Sequence, residues 1–115
     1  MFSALKSVTQ RIVDEIGCFP KSGYYIFSVA SENIDGQDVE FFESSFAFYA
    51  EEKKFDAFNT SSEFVRDQHS FFEELRNEMA SKDKDNLKWI EAKVVFGENG
   101  EVKTRYNYPE ATNCS

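Results

Sequence analysis

The stretch YYIFSVASENIDGQDVEFFESSFAFYA, residues 24–50, decides the fold because it holds two strand patterns around a turn. Residues 24–30 are dense in aromatic and β-branched side chains, which favour strands. Asp35-Gly36 supplies residues that accept the positive φ angles of a hairpin turn, in a loop expected to exceed two residues. The chain then returns as a second strand over residues 39–50. The stretch therefore predicts an antiparallel hairpin.

Helical patterns lie on both sides of this hairpin. Apolar residues recur at three- and four-residue spacing from Phe2 to Ile16 and predict a helix that ends at Gly17. After the hairpin, Thr60 as N-cap and Glu63 three residues later form a capping box, which predicts the start of a second helix. The apolar stripe of this second helix comprises Phe64, Phe71, Phe72, Leu75 and Met79.

Three more strand signals complete the pattern. A turn at residues 51–53 followed by residues 54–58 predicts a short third strand. Apolar and polar residues alternate on both sides of the turn at residues 97–100, which predicts a closing hairpin. The order α-β-β-(β)-α-β-β predicts a single α+β domain over residues 1–115. In it, an antiparallel sheet of four to five strands carries two helices packed on one face.

Large apolar residues occur on both faces of the second strand. Phe42, Phe46 and Phe48 share one face, while other aromatic residues fall between them, so we expect a bulge or a partly covered second face. Tyrosine and tryptophan are enriched at binding hot spots, so aromatic side chains opposite the core are candidates for a binding patch. In this register they are Tyr24, Phe41, Tyr49 and Trp89.

The net charge of −8 is concentrated in the middle of the chain. Residues 32–78 carry 13 acidic and four basic residues, a net −9, and the remainder is nearly neutral. This balance disfavours nucleic acid as a direct ligand because phosphates would be repelled. It fits either a solvated surface that keeps a phenylalanine-rich protein soluble or an acidic face that binds a basic partner.

The residue types that catalysis or metal binding requires are sparse. His69 is the single histidine, and no CxxC, HxxxH or glycine-rich phosphate loop is present. We therefore expect no catalytic residues, no metal and no cofactor. Without an apolar signal segment or a stretch long enough to span a bilayer, a cytoplasmic protein with Cys18 and Cys114 as reduced thiols is expected.

The second half of the chain resembles a known family. Phe72-Glu73-Glu74-Leu75-Arg76-Asn77-Glu78-Met79, Trp89, Gly100 and Tyr106-Asn107-Tyr108 resemble the YezG-like family of bacterial immunity proteins. The resemblance implies a non-enzymatic antitoxin that binds the C-terminal domain of a cognate toxin, commonly a nuclease. Inhibition would be stoichiometric occlusion of a basic partner, with no direct contact to nucleic acid or membrane.

Within this mechanism the expected contacts are acidic residues supported by aromatic anchors. The acidic contacts are Asp35, Asp38, Glu40 and Glu43, followed by Glu51, Glu52 and Asp56, and the anchors are Tyr24, Phe41 and Tyr49. The alternative is a small α+β ligand-binding module, or a subunit of a complex, in which aromatic side chains line an apolar pocket.

Overall fold

In the computed structural model, residues 3–109 are described and form a five-stranded antiparallel sheet with two helices on one face. The elements are α1 (Ser3–Ile16), β1 (Ser22–Ile34), β2 (Gln37–Ala50), β3 (Lys53–Phe55), α2 (Ser62–Lys82), β4 (Glu91–Phe96) and β5 (Val102–Asn107). The strand order in the sheet is β3-β2-β1-β4-β5. The predicted α+β class and element order are confirmed. Phe2 and Cys114 lie outside the described residues, and Cys18 is a free thiol.

The core lies between the helices and one face of the sheet, and stacked aromatic rings fill it. Tyr25 stacks on Phe46 and on Phe72, with ring centroids 5.3 and 5.1 Å apart, and Phe27 also stacks on Phe72. A fully buried phenylalanine contributes roughly 1.5–3 kcal/mol to stability, so these rings account for much of the driving force for folding. Phe46, Phe48, Phe64, Phe72 and Phe96 are buried in this core, while Phe42 and Phe71 are half-buried at its border.

The expected exposure of Trp89 is wrong, because its side chain is fully buried. Trp89 precedes β4, so strand alternation does not determine the direction of its side chain. Its indole packs edge-on against Phe27 and lies 5.6 Å from the ring of Tyr106. The residue belongs to the core and not to a binding patch.

The β1–β2 turn is tighter than expected. Ile34 pairs with Gln37, which leaves Asp35-Gly36 as a two-residue turn with φ angles of 52° and 82°. Both angles are positive, as a type I′ turn requires. The register continues without interruption to Ser22 opposite Tyr49, so the expected bulge is not found in this pairing. The two helices pack on the face that holds Phe46 and Phe48, and on the second face Phe41 and Tyr49 are 42% and 43% exposed.

The start of α2 differs from the predicted capping box. Ser61, and not Thr60, is the N-cap, and its hydroxyl accepts a hydrogen bond from the Phe64 N–H at 3.0 Å. The acceptor role predicted for Glu63 belongs instead to Glu15 of α1, whose carboxylate accepts from the Ser61 N–H at 2.7 Å. A carboxylate 46 residues away therefore completes the cap and joins the two helices.

The third strand ends earlier than predicted, at Phe55. A turn follows it, in which the Asn59 side chain accepts a hydrogen bond from the Asp56 N–H and donates one to the Lys54 carbonyl. Phe58, expected in the strand, lies in this turn and is 97% exposed.

Candidate protein-binding surface

β1 and β2 extend beyond the rest of the sheet as a two-stranded hairpin. The association of β1 with β4 ends at a 2.8 Å hydrogen bond from the Val29 N–H to the Ile90 carbonyl. Beyond it, residues 30–34 and 37–41 pair with each other, and no other described strand joins them. We call residues 29–43, which comprise this extended part and its base, the acidic arm.

The acidic arm contains five acidic residues and no lysine or arginine. They are Glu32, Asp35, Asp38, Glu40 and Glu43. Strand alternation places Glu32 and Glu43 on the face away from the helices and Asp38 and Glu40 on the other, with Asp35 at the tip. Within the described part of the chain, Glu40 alone among the five has an ion-pair partner. The arm therefore presents uncompensated negative charge on both faces and at its tip.

Arg76 of α2 holds the base of the arm. Its Nη1 lies 3.1 Å from both carboxylate oxygens of Glu40, and its Nε donates a 2.7 Å hydrogen bond to the Trp89 carbonyl. The Arg76 side chain is 6% exposed, and its guanidinium lies over the Trp89 indole. One side chain thus connects α2, the arm and the segment before β4. Glu40, expected as a leading contact, differs from the other acids because its charge is already partnered.

The remaining predicted acids lie far from the arm. Glu51 and Glu52 form the β2–β3 turn, at the other end of a 14-residue strand. At about 3.3 Å per residue, the length of β2 separates this turn from the arm tip by roughly 45 Å. Asp56 lies after β3 and forms a 3.9 Å ion pair with Lys54. The structure therefore divides the predicted acidic contacts into two separate regions.

The predicted anchors Tyr24, Phe41 and Tyr49 lie on the sheet face away from the helices. Phe41 is in the acidic arm, next to Glu43 on the same face, and is 42% exposed. Tyr49 is similarly exposed but lies beside the β2–β3 turn, and Tyr24 is half-buried at that same end of the sheet. Phe41 is therefore the predicted anchor that the fold brings to the arm.

Sequence reasoning missed a basic region on that same outer face. The register sets Lys93 opposite Arg105 and Val95 opposite Lys103, and these residues border a depression of about 330 Å³. Strand alternation in the closing hairpin was the signal that could have identified it. The sheet thus has an acidic end at the arm and a basic end at β4 and β5.

Sequence reasoning also missed the pairing of Ser44 with His69. His69 Nε2 lies 3.0 Å from Ser44 Oγ, and its ring packs edge-on against Phe27. Burial lowers the pKa of His69, and the charge of Glu73 acts in the opposite direction. Burial also raises the pKa of the neighbouring Tyr25 to about 12.

This pair has the residue types of a nucleophile and a base, but a hydrolytic triad also needs a group that orients the histidine. No residue within 3–109 hydrogen-bonds to the Nδ1 atom of His69. The same part of the chain contains no group of three or more histidine, cysteine or acidic side chains placed to hold a metal ion. The pairing depends on α2 lying over β2, and no local sequence signal indicates it.

The aromatic side chains bear on the alternative of an apolar ligand pocket. In the core these rings stack directly on one another, for example Tyr25 on Phe46. The depression beside Glu40, Glu73 and Arg76 is lined mainly by polar and charged side chains, and the others mix apolar with polar groups and are open to solvent. This geometry favours a protein partner over a small apolar ligand. Among residues 3–109, no helix is both long and apolar enough to cross a membrane.

Comparison with known proteins adds no assignment. No protein-family model matches the chain, and no curated protein shows significant similarity to it. The resemblance to the YezG-like family therefore stays a prediction, and function is inferred from the geometry and charge of the described residues.

Proposed function

We propose that this protein is a cytoplasmic immunity protein that neutralises a cognate toxin domain by occupying its active-site cleft. The observation that supports this function is the acidic arm, whose extended part (residues 30–41) carries four acidic residues and whose base carries a fifth, Glu43, without a basic one. Such an element suits a cleft that binds nucleic acid, because that cleft is lined with positive charge. The expected partner is therefore a basic toxin domain, such as a nuclease.

Three features fit this role. Its uncompensated charges attract a basic surface at long range and raise the association rate. Phe41 offers an exposed aromatic ring among these charges, and a desolvated aromatic contact supplies affinity that surface charge does not. Arg76 fixes the base of the arm, which lowers the conformational entropy lost on binding.

The test uses the toxin domain encoded beside this protein, with growth rescue and complex formation as readouts. The arm variant Glu32→Lys/Asp38→Lys is compared with Glu51→Lys/Glu52→Lys, which changes the net charge equally at the far end of β2. We expect the arm variant to slow association by about tenfold or more at low salt and by much less at high salt. The control variant should slow it by less than about threefold.

Two results would contradict the proposal. Failure of the wild-type protein to form a one-to-one complex or to rescue growth would exclude the immunity function. Equal slowing by the two variants would show that net charge, and not the arm, governs encounter.

A further inference from the structure

β2 has a long edge along which the described chain places no neighbouring strand. β3 pairs with residues 48–50 of β2, so residues 38–47 have β1 on one side and an open edge on the other. The Val29 N–H bonds to the carbonyl of Ile90, directly before β4. Odd-numbered residues of β1 therefore direct their backbone groups to the β4 side, and even-numbered ones to β2. The even-numbered residues of β1 pair with the odd-numbered residues of β2, so these odd-numbered residues direct their backbone groups to β1. The β2 residues whose backbone groups point to the open edge are therefore Asp38, Glu40, Phe42, Ser44 and Phe46.

This edge lacks most of the features that usually prevent strand addition. Proteins protect exposed edges with short strands, prolines, charged side chains (lysine above all) or bulges, and of these the β2 edge has only the negative charges of Asp38, Glu40 and Glu43. Residues 38–47 contain no proline, glycine or lysine, and their register with β1 is continuous. The outer edge of β5, by contrast, is six residues long and carries Lys103 and Arg105. The β2 edge is thus the better template for an added strand.

A notch in the surface follows the edge. Ser44 and Ser45 are small and leave an open depression of about 400 Å³, lined on the helix side by Val65 and His69 and on the outer side by Ile26. A depression with walls from both faces matches a strand, whose side chains alternate between faces.

A second depression lies further along the same edge. It measures about 190 Å³ and is bordered by two acidic side chains, Glu40 and Glu73, and by two basic ones, Arg76 and Lys88. Glu40 and Ser44 are four residues apart, about 13 Å along a strand, so two side chains on one face of an added strand would reach the two depressions. Pockets at that spacing give side-chain specificity, while backbone hydrogen bonds give affinity.

Charge identifies the occupant. Parallel pairing of two β2 edges would bring Asp38, Glu40 and Glu43 of one copy beside the same residues of another, and antiparallel pairing within residues 38–47, centred on Glu43, would bring the two Glu43 side chains together. Adjacent like charges destabilise a sheet. A strand with basic side chains would instead be attracted by these carboxylates. We propose that the β2 edge binds an extended basic segment of another protein as an additional strand of the sheet. The identification of that other protein as the toxin domain rests on the proposed function.

The test uses a defined probe and does not require the toxin. The ¹⁵N-labelled full chain is titrated with an end-blocked peptide of about seven alternating valine and lysine residues. We expect shift changes and slowed amide exchange at the open-edge amides, including Phe42 and Ser44. A peptide N-methylated at alternate residues, which cannot form the ladder, should bind at least about tenfold more weakly.

Two variants at one position separate backbone from side chain. Ser44→Ala and Ser44→Pro both remove the hydroxyl that contacts His69, but only proline removes the N–H that points to the open edge. Proline is tolerated at such an edge position, and thermal unfolding verifies that both variants fold. We expect Ser44→Pro to weaken binding of the probe by about tenfold relative to Ser44→Ala.

Several results would overturn the inference. They are absence of binding at millimolar peptide, equal binding of the N-methylated peptide, equal affinities of the two variants, or shift changes confined to the outer face around Lys93. Slowed amide exchange at the β2 edge in the absence of peptide, if it arises from pairing with β5 of a second copy, would also overturn the inference. Binding of the probe without a complex with the toxin domain would refute the proposed function alone, and the reverse result would refute the strand addition alone.

Discussion

Replacement of Arg76 with alanine is expected to destabilise the fold and to loosen the acidic arm. The buried Trp89 carbonyl would lose its 2.7 Å donor, and an unsatisfied buried acceptor costs about 1–3 kcal/mol. The lost ion pair adds at most about 1 kcal/mol, because the Glu40 side chain is 39% exposed. With the packing of the arginine stem, we expect the free energy of unfolding to fall by about 2–4 kcal/mol.

The assay is urea unfolding followed by the fluorescence of Trp89, the single tryptophan and a fully buried reporter. Amide exchange in residues 30–41 reports the arm separately. Glu40→Gln is the matched control, because it keeps a hydrogen-bond acceptor for Arg76 and removes only the charge, so a loss below about 1 kcal/mol is expected. If Arg76→Ala changed stability by less than about 1 kcal/mol and left exchange in the arm unaltered, Arg76 would not be the anchor described here.

Three further outcomes follow from the backbone and from burial. Glu51→Asn/Glu52→Gly should raise the free energy of unfolding by about 1–2 kcal/mol, because both glutamates have left-handed φ angles of 52° and 65°. The control Glu51→Gln/Glu52→Gln removes the charges alone and should change the free energy of unfolding little in the same urea assay. Burial lowers the pKa of His69 below 6.5, so the unfolded state binds the proton more readily and stability falls as the pH drops below about 6.5. The His69→Gln variant should therefore lose less stability than the wild type between about pH 7.5 and 5.5. A larger loss in the variant would contradict this. Gly23→Ala should lower the melting temperature much more than Gly17→Ala does. Both glycines have positive φ, but a Cβ at Gly23 would lie 2.5 Å from a backbone oxygen of β2, while the space at Gly17 is open. Equal losses in the two variants would exclude a steric origin.

Local patterns in the sequence were sufficient for the order of the elements. The two-residue period of β2 correctly places Phe41 and Tyr49 on the face opposite Phe46, because a continuous register preserves alternation along the whole strand. The same reasoning failed for Trp89, which lies outside β4, where no strand geometry fixes the side chain. The prediction of the α2 cap from the local sequence also failed, because Glu15 reaches the cap through the packing of α1 against α2.

The site was predictable to the extent that it is local. The acids of the arm are close in sequence and share one hairpin, so charge counting along the chain found them. Charge counting could not show that Glu51 and Glu52 lie at the other end of β2, because that depends on the length of the pairing. The contact of Arg76 with Glu40 depends on how α2 crosses the sheet, and no spacing in the sequence encodes it.

The arm and the β2 edge are expected to govern different steps of binding. The charges of the arm act before contact, so Glu32→Lys/Asp38→Lys should lower the association rate and reduce its dependence on salt. Backbone hydrogen bonds along the edge form after contact, so Ser44→Pro should raise the dissociation rate relative to Ser44→Ala and leave association nearly unchanged. Because the arm and the edge share β2, a basic domain drawn to the arm arrives beside the open backbone of the same strand. Stopped-flow association and dissociation rates measured for both variants decide the matter, since an effect of Ser44→Pro on association alone would show that the edge takes part in encounter and not in holding the partner.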